Sequence, residues 1–309
     1  LDAYLGFRDV PLLQSVLIGN QVRPLGMEVY SSSNNSIFME DALVFGASNV
    51  DARRLGVLSR GYTQHESVNW QLGVFEAPNI QSSGQYLTDN FEGSIDARVT
   101  TTPWYDESGQ NYLHLGASTS FANENNDAQL QSRPELRTQS NWINTGEIAG
   151  SNWSNGTSLE ALLNLGSFSI GGEWAVTSVN RTSDSPNVIF HGGYAYVAYF
   201  LTGDYQPIDR QIGVLESVHP LRNFSPSVAR CGGWGAWQVA ARVSYFDLTD
   251  EDILGGREAN FTLGLNWWFN PHSRVMFNYV VGNIEDHAPV GGYTGGHFSG
   301  LAMRLQIDF

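Results

Sequence analysis

Lysine is absent from the 309 residues: all 16 basic side chains are Arg, set against 31 Asp and Glu, for a formal net charge of −15. A chain this acidic offers no basic face on which to neutralise phosphates, which argues against nucleic acid as a partner. It does not exclude a local basic lining, because arginines gathered in a narrow channel dominate the field there. Cysteine is almost absent too. The single Cys231 permits no intramolecular disulfide, and beside Gly232 and Gly233, with no base near it in sequence, it reads as a buried or loop thiol and not a nucleophile. No run of ~18 apolar residues occurs, and the longest, around Ala195 to Leu201, is too short to cross a bilayer as a helix. That leaves β-barrels untouched, since their lipid-facing residues are diluted by the lumen-facing ones between them. Against only 11 Pro stand 33 Gly, 9 Trp, 13 Tyr and 16 Phe, a composition of strands and tight turns.

What is present is alternation. At the end of the chain Leu301, Met303, Leu305, Ile307 and Phe309 point one way and Ala302, Arg304, Gln306 and Asp308 the other. The same period of two recurs upstream. Trp237, Val239, Ala241, Val243 and Tyr245 oppose Gln238, Arg242 and Ser244; Phe261, Leu263, Leu265 and Trp267 oppose Asn260, Thr262, Gly264 and Asn266; Val275, Phe277, Tyr279 and Val281 oppose Arg274, Met276 and Asn278. Pro271 with His272 supplies a short turn, and aromatic residues gather at strand ends, as in Trp267-Trp268-Phe269 and Trp104-Tyr105. A half-buried strand of a soluble sandwich explains one such segment, but a succession of long strands with aromatics outward predicts a single transmembrane antiparallel β-barrel over residues 1–309, of porin type.

Earlier in the chain, Leu1 to Phe7 and Leu13 to Gly19 read as a hairpin, and strand-like segments cover Leu55 to Tyr62, Val68 to Glu76, Gly93 to Trp104, Tyr112 to Phe121, Leu159 to Leu165 and Phe168 to Val179. Ile189 to Leu201 is too apolar on both faces to orient. Asn125 to Arg133, Ile143 to Gly156 and Gly282 to Gly296 read as polar loops. Two irregular stretches, near 20–52 and 204–230, have no clean period, and long excursions inside an all-β protein are usually functional. They are read as pore loops. Arg8, Arg98, Arg137, Arg242, Arg274 and Arg304 fall on the polar parity of their segments and are candidates for the lumen wall, where a guanidinium stays charged and presents a fixed fork of donors to an anion. For each, the alternative is pairing with a lumen carboxylate such as Glu160, Asp247 or Asp308. Arg23, Glu28, Phe38, Glu40, Asp41, Arg53, Arg54 and Arg60 are candidates for the constriction.

Other chemistries find little support. An outer-membrane hydrolase needs a His with a Ser, and the strand histidines His114 and His191 lie in no nucleophile motif, so no enzyme is expected. The seven His are scattered, without metal-ligand spacing, and neither a metal nor a cofactor is expected. Asp247, Asp250, Glu251 and Asp252 read as a solvated loop rather than a Ca²⁺ site.

The stretches from Gly235 to Tyr245, Thr262 to Pro271 and Arg274 to Tyr279 resemble the closing strands of the phosphate-selective porin O/P family of bacterial outer membranes. Leu17 to Glu28, Phe38-Met39-Glu40 and Arg53 to Val57 are similar to the family's loop-bearing first half. The resemblance covers both ends of the chain and is weakest between about Asn123 and Arg230. It implies a sixteen-stranded barrel in the outer-membrane lipid, a homotrimer, and passive uptake of phosphate or similar small anions through a water-filled pore narrowed by inward-folded loops and lined by arginines. With about thirteen or fourteen strand segments visible, it also implies that the first strands precede Leu1, and the strand-like pattern in which the chain opens leads to the expectation of a leader before it. Two departures bear on selectivity. Asp41 stands where family members tend to carry Arg, and the lysine of the family's phosphate site has no counterpart here. General anion or small-solute permeation is therefore expected in place of tight phosphate selectivity, the alternatives being a general or cation-preferring diffusion porin and a purely structural envelope barrel.

Overall fold

Period-two segments become strands, and the computed structural model describes them across residues 2–45, 53–76, 92–124, 128–138, 140–182, 185–225 and 233–308. Leu1, Cys231 and Phe309 lie outside the described residues. In chain order the elements are β1 (Ala3–Val10), β2 (Gln14–Val22), the single helical turn α1 (Met27–Tyr30), β3 (Arg53–Tyr62), β4 (Val68–Glu76), β5 (Gly93–Tyr105), β6 (Asn111–Asn123), β7 (Gln131–Ser132), β8 (Ile143–Asn144), β9 (Ser151–Leu165), β10 (Phe168–Arg181), β11 (Val188–Phe200), β12 (Ile208–Asp209), β13 (Val214–Leu215), β14 (Ala236–Asp250), β15 (Ile253–Asn270), β16 (Ser273–His287) and β17 (Gly296–Ile307). Thirteen of them form one antiparallel sheet, ordered β1-β2-β3-β4-β5-β6-β9-β10-β11-β14-β15-β16-β17. Each long strand pairs with the long strand before it, the meander of a barrel wall and not the two layers of a sandwich. Among the described residues β1 and β17 close the two ends of this order without pairing to each other.

Register turns alternation into two surfaces. Ile18, Val57, Val74, Ile95 and Phe121 are successive cross-strand partners, and all five are exposed on the outside. Three residues along each strand, on the opposite parity, Gln71, Arg98, Ser118 and Ser158 are successive partners on the inside, and all are buried. An apolar exterior over a polar interior is the inverse of a soluble protein and fits a wall between lipid and a filled lumen. On β17 the outward Leu301, Met303, Leu305 and Ile307 are 74, 68, 62 and 57% exposed.

The lumen is filled by connections. The meander puts the connections 11–13, 63–67, 106–110, 166–167 and 271–272 at one end of the wall; at the other end β2, β4 and β6 finish before long connections, and β14 turns into β15 over 251–252. The connection between β11 and β14, which carries β12 and β13, is long yet leaves from the end that otherwise holds short turns. The segment 23–45 touches inward side chains of β5, β6, β10, β14, β15, β16 and β17, which is possible only because the sheet curls around it. Met27, Phe38, Leu43 and Phe45 from this segment pack with Ile143 and Ile148 against Phe190, Tyr194 and Tyr196 of β11 in one buried cluster.

That packing orients β11. Phe190, Tyr194, Tyr196 and Ala198 face the cluster, Phe200 packs inward with Val218, Ala236 and Trp268, and Ile189, Val197 and Tyr199 face outward, so the strand is apolar on both sides because one side meets lipid and the other apolar filling. Three further expectations change. Residues 151–156 extend β9 instead of forming a loop, held by pairing to β6 and β10 although, Trp153 apart, their side chains are small or polar. Likewise β16 continues to His287, paired to β15. Arg137 lies between β7 and β8, in a connection and not on the wall.

Candidate permeation site

A cavity of about 1060 Å³ remains in the lumen beside β1, β2 and β3. Its wall side carries Asp2, Tyr4, Gln21, Arg53 and Arg60. Segment 23–45 contributes Glu28, Tyr30, Asn35 and Asp41, and the β12–β13 hairpin with the residues after it contributes Asp209, Ile212, Glu216 and His219. Arg137 lines it from the third inward connection, its side chain 82% exposed and 3.9 Å from Glu40.

The two large inward segments are bolted to the wall by inward polar side chains. From β4, β5 and β6, Asn69, Gln71, Arg98 and Tyr112 donate to the backbone carbonyls of Arg210, Ile212, Gly213 and Gln206 in the connection 201–235, the Arg98 bond to Gly213 being 2.5 Å. The segments also hold each other: Asn35 donates to the Leu215 carbonyl at 2.8 Å, and the Leu215 amide donates to Ser31 Oγ at 3.1 Å.

Three of the six candidate wall arginines are spent on fastenings of this kind. Arg98 is buried, paired to Glu160 at 2.6 Å, with His114 on the same carboxylate at 2.7 Å and the Tyr30 ring 5.6 Å from its guanidinium. Arg242 is buried between Glu28 and Glu135, each at 2.9 Å, donates to the Glu40 carbonyl and lies 4.4 Å from the Phe38 ring centre. Arg274 is buried and spends its donors on the carbonyls of Ser36 and Ser33 and on Gln306. Arg304 reaches the Met39 carbonyl at 3.5 Å, a weak contact. Arg8, on the inward parity of β1, is exposed, and neither it nor Arg304 joins the cavity lining.

Among the constriction candidates, Arg23 is buried 3.7 Å from Asp96, and Arg53 forms a two-pronged pair with Asp2 at 2.8 and 3.4 Å. Arg54 is buried on the inward face of β3. Phe38 is packed in the cluster rather than open to the cavity. Arg60 forms no ion pair among the described residues and bonds the Tyr30 hydroxyl; burial raises the Tyr30 phenol while Arg60 and Arg98 beside it pull the other way. Burial raises Glu28 to about 7; Arg242 opposes this and Glu173 adds to it. Glu216 is raised by burial and by Asp209, with His219 opposing. Asp209, Glu216, His219 and Tyr30 had no motif to mark them, and their only signal was membership of the two aperiodic stretches.

Comparison with known proteins decides the family. The family model described as phosphate-selective porin O and P matches residues 1–309, the whole chain. The chain belongs to that family. An uncharacterized protein of Caulobacter vibrioides is 27% identical over 327 residues, an alignment that takes in all of this chain and 62% of that protein. The porin thus spans less than two thirds of its relative. Its fold matches OmpT of Vibrio cholerae expressed in the outer membrane, with a TM-score of 0.50 at 13% identity over 98% of this chain and 80% of that one. The same protein folded in vitro gives 0.50 at 12%, over 94% and 76%. At such identities these likenesses establish the fold alone. The porin is a protein of the bacterial outer membrane.

Proposed function

We propose that this porin is a diffusion channel for small hydrophilic solutes and acts without catalysis, the family description naming a channel. The narrow part of its path is the space between β1–β3 and the two inward segments, and charge selectivity along it is weak. The observation that carries this reading is the mixed lining of the cavity: Asp2, Glu28, Asp41, Asp209 and Glu216 stand against Arg53, Arg60 and Arg137. Guanidinium groups that bind protein carbonyls and carboxylates at full valence have few donors left for a passing anion. Since short turns mark the periplasmic end of such barrels, the connection 201–235 narrows the path from the periplasmic side and segment 23–45 from the outer side.

The anion-selective reading, with phosphate or similar small anions as solute, is the second one, favoured by Arg60 and Arg137, whose charges are the least engaged in the lining. The test is the reversal potential of the purified porin in a planar bilayer under a salt gradient, taken before and after phosphate is added. A potential close to zero or on the cation side, with chloride current unaffected by phosphate, supports weak selectivity; a strong anion-side potential with phosphate block supports the second reading and removes the first. A homotrimer belongs to either reading on the strength of the family, and the mass of the detergent-solubilised particle checks it.

A further inference from the structure

The cavity carries its two signs of charge on separate elements. On β3, Arg60 points inward, half-buried, donating to the Tyr30 hydroxyl and without an ion pair among the described residues. The β12–β13 hairpin, bolted to β4 and β5 through the carbonyls of Arg210, Ile212 and Gly213, brings Asp209 and Glu216 to the same cavity. Asp209 spends one carboxylate oxygen on the amides of Gln211 and Ile212, and Glu216 forms no ion pair among the described residues. Two carboxylates near each other, opposed at Glu216 by the imidazole of His219, leave a local field that an ammonium group would relieve. Arg60 offers the complementary donor to a carboxylate.

We propose that the cavity accepts small amphoteric solutes, molecules with an ammonium and a carboxylate on one short skeleton, Arg60 receiving the carboxylate and the Asp209–Glu216 hairpin the ammonium. This rests on the diffusion-channel reading above. A zwitterion meets attraction at both ends, while a simple anion meets the hairpin's repulsion and a simple cation that of Arg60, so the same lining that weakens selectivity between ions favours solutes carrying both charges. The zwitterion also adds no net charge to the narrow space, and each of its ionised ends meets a partner of opposite sign there, which offsets part of its desolvation.

The experiment is swelling of liposomes carrying the intact porin, driven by glutamine as the zwitterion and by arabinose as a neutral solute of similar size. The expected result is faster entry of glutamine than of arabinose. The glutamine-to-arabinose ratio should fall by about threefold in Arg60→Gln and in Glu216→Gln, as for loss of one partly solvated charge contact. Arg60→Lys, which keeps the charge, should keep most of the ratio. Equal rates for the two solutes, or a ratio indifferent to both charge-removing substitutions, would overturn the inference while leaving the channel. Failure of arabinose itself to enter would overturn the channel reading, and this inference with it.

Discussion

At the scale of the residue, the porin uses inward arginines as fasteners. Arg98 neutralises the buried Glu160, so Arg98→Ala strands a carboxylate and should cost roughly 3–5 kcal/mol of unfolding free energy. Arg274 bonds only carbonyls and an amide, so Arg274→Gln should cost about 1–3 kcal/mol. Urea unfolding in bilayers measures both, and equal costs would argue against this distinction. Glu28 adds a pH dependence. Its pKa is raised to about 7 from an ordinary 4.5, so the packed segment 23–45 holds the proton where the released one would not. Its contribution to holding the segment is full below about 4.5 and is lost as pH rises through about 7. Protease cleavage within 23–45 should therefore be faster at pH 8 than at pH 5, and Glu28→Gln should flatten the difference. Sequence parity placed Arg98, Arg242 and Arg274 on the inward face but was silent on their partners, because parity fixes the direction of a side chain and not what lies 60 or 200 residues away in the chain.

At the scale of the element, β14 to β17 were legible down to the faces of single residues, since one face meets lipid and the other polar groups, which is the condition under which alternation is sharpest. Leu263, outward on β15, tests this: Leu263→Arg should destabilise the folded barrel by about 2–4 kcal/mol if it sits near the bilayer midplane, measured by the same unfolding assay. Where the lumen is apolar, as behind β11, or where polar residues leave a single apolar side chain, as Trp153 along Ser151 to Gly156, the pattern fades and the sequence reads as unassignable or as a loop. The β12–β13 hairpin was invisible because it is held by side chains of other strands grasping its carbonyls. Gly213 makes its close approach possible: its φ is +68°, and a Cβ there would overlap Thr100. Gly213→Ala should therefore loosen the hairpin from β5 and raise single-channel conductance and its noise, and unchanged traces would mean that the hairpin does not narrow the path.

For the whole molecule, the wall and its contents divide the labour. Thirteen strands supply an apolar exterior and a polar interior, three connections fill that interior, and a cavity remains beside β1–β3, the path under the proposed function. The excess of acid over base in the chain recurs in this remainder, so the composition forecast the lining better than the placement of individual arginines did. Arg137 illustrates the limit: it looked like a wall residue and instead reaches the cavity from a connection. The division between fasteners and lining is tested most directly by the reversal potentials of Arg60→Gln and Arg274→Gln, recorded side by side in a planar bilayer under one salt gradient. If inward arginines fasten and Arg60 lines the path, Arg60→Gln shifts the potential toward the cation side and Arg274→Gln leaves it where it was. A shift in Arg274→Gln as large as that in Arg60→Gln would contradict the account and return the buried arginines to the permeation path.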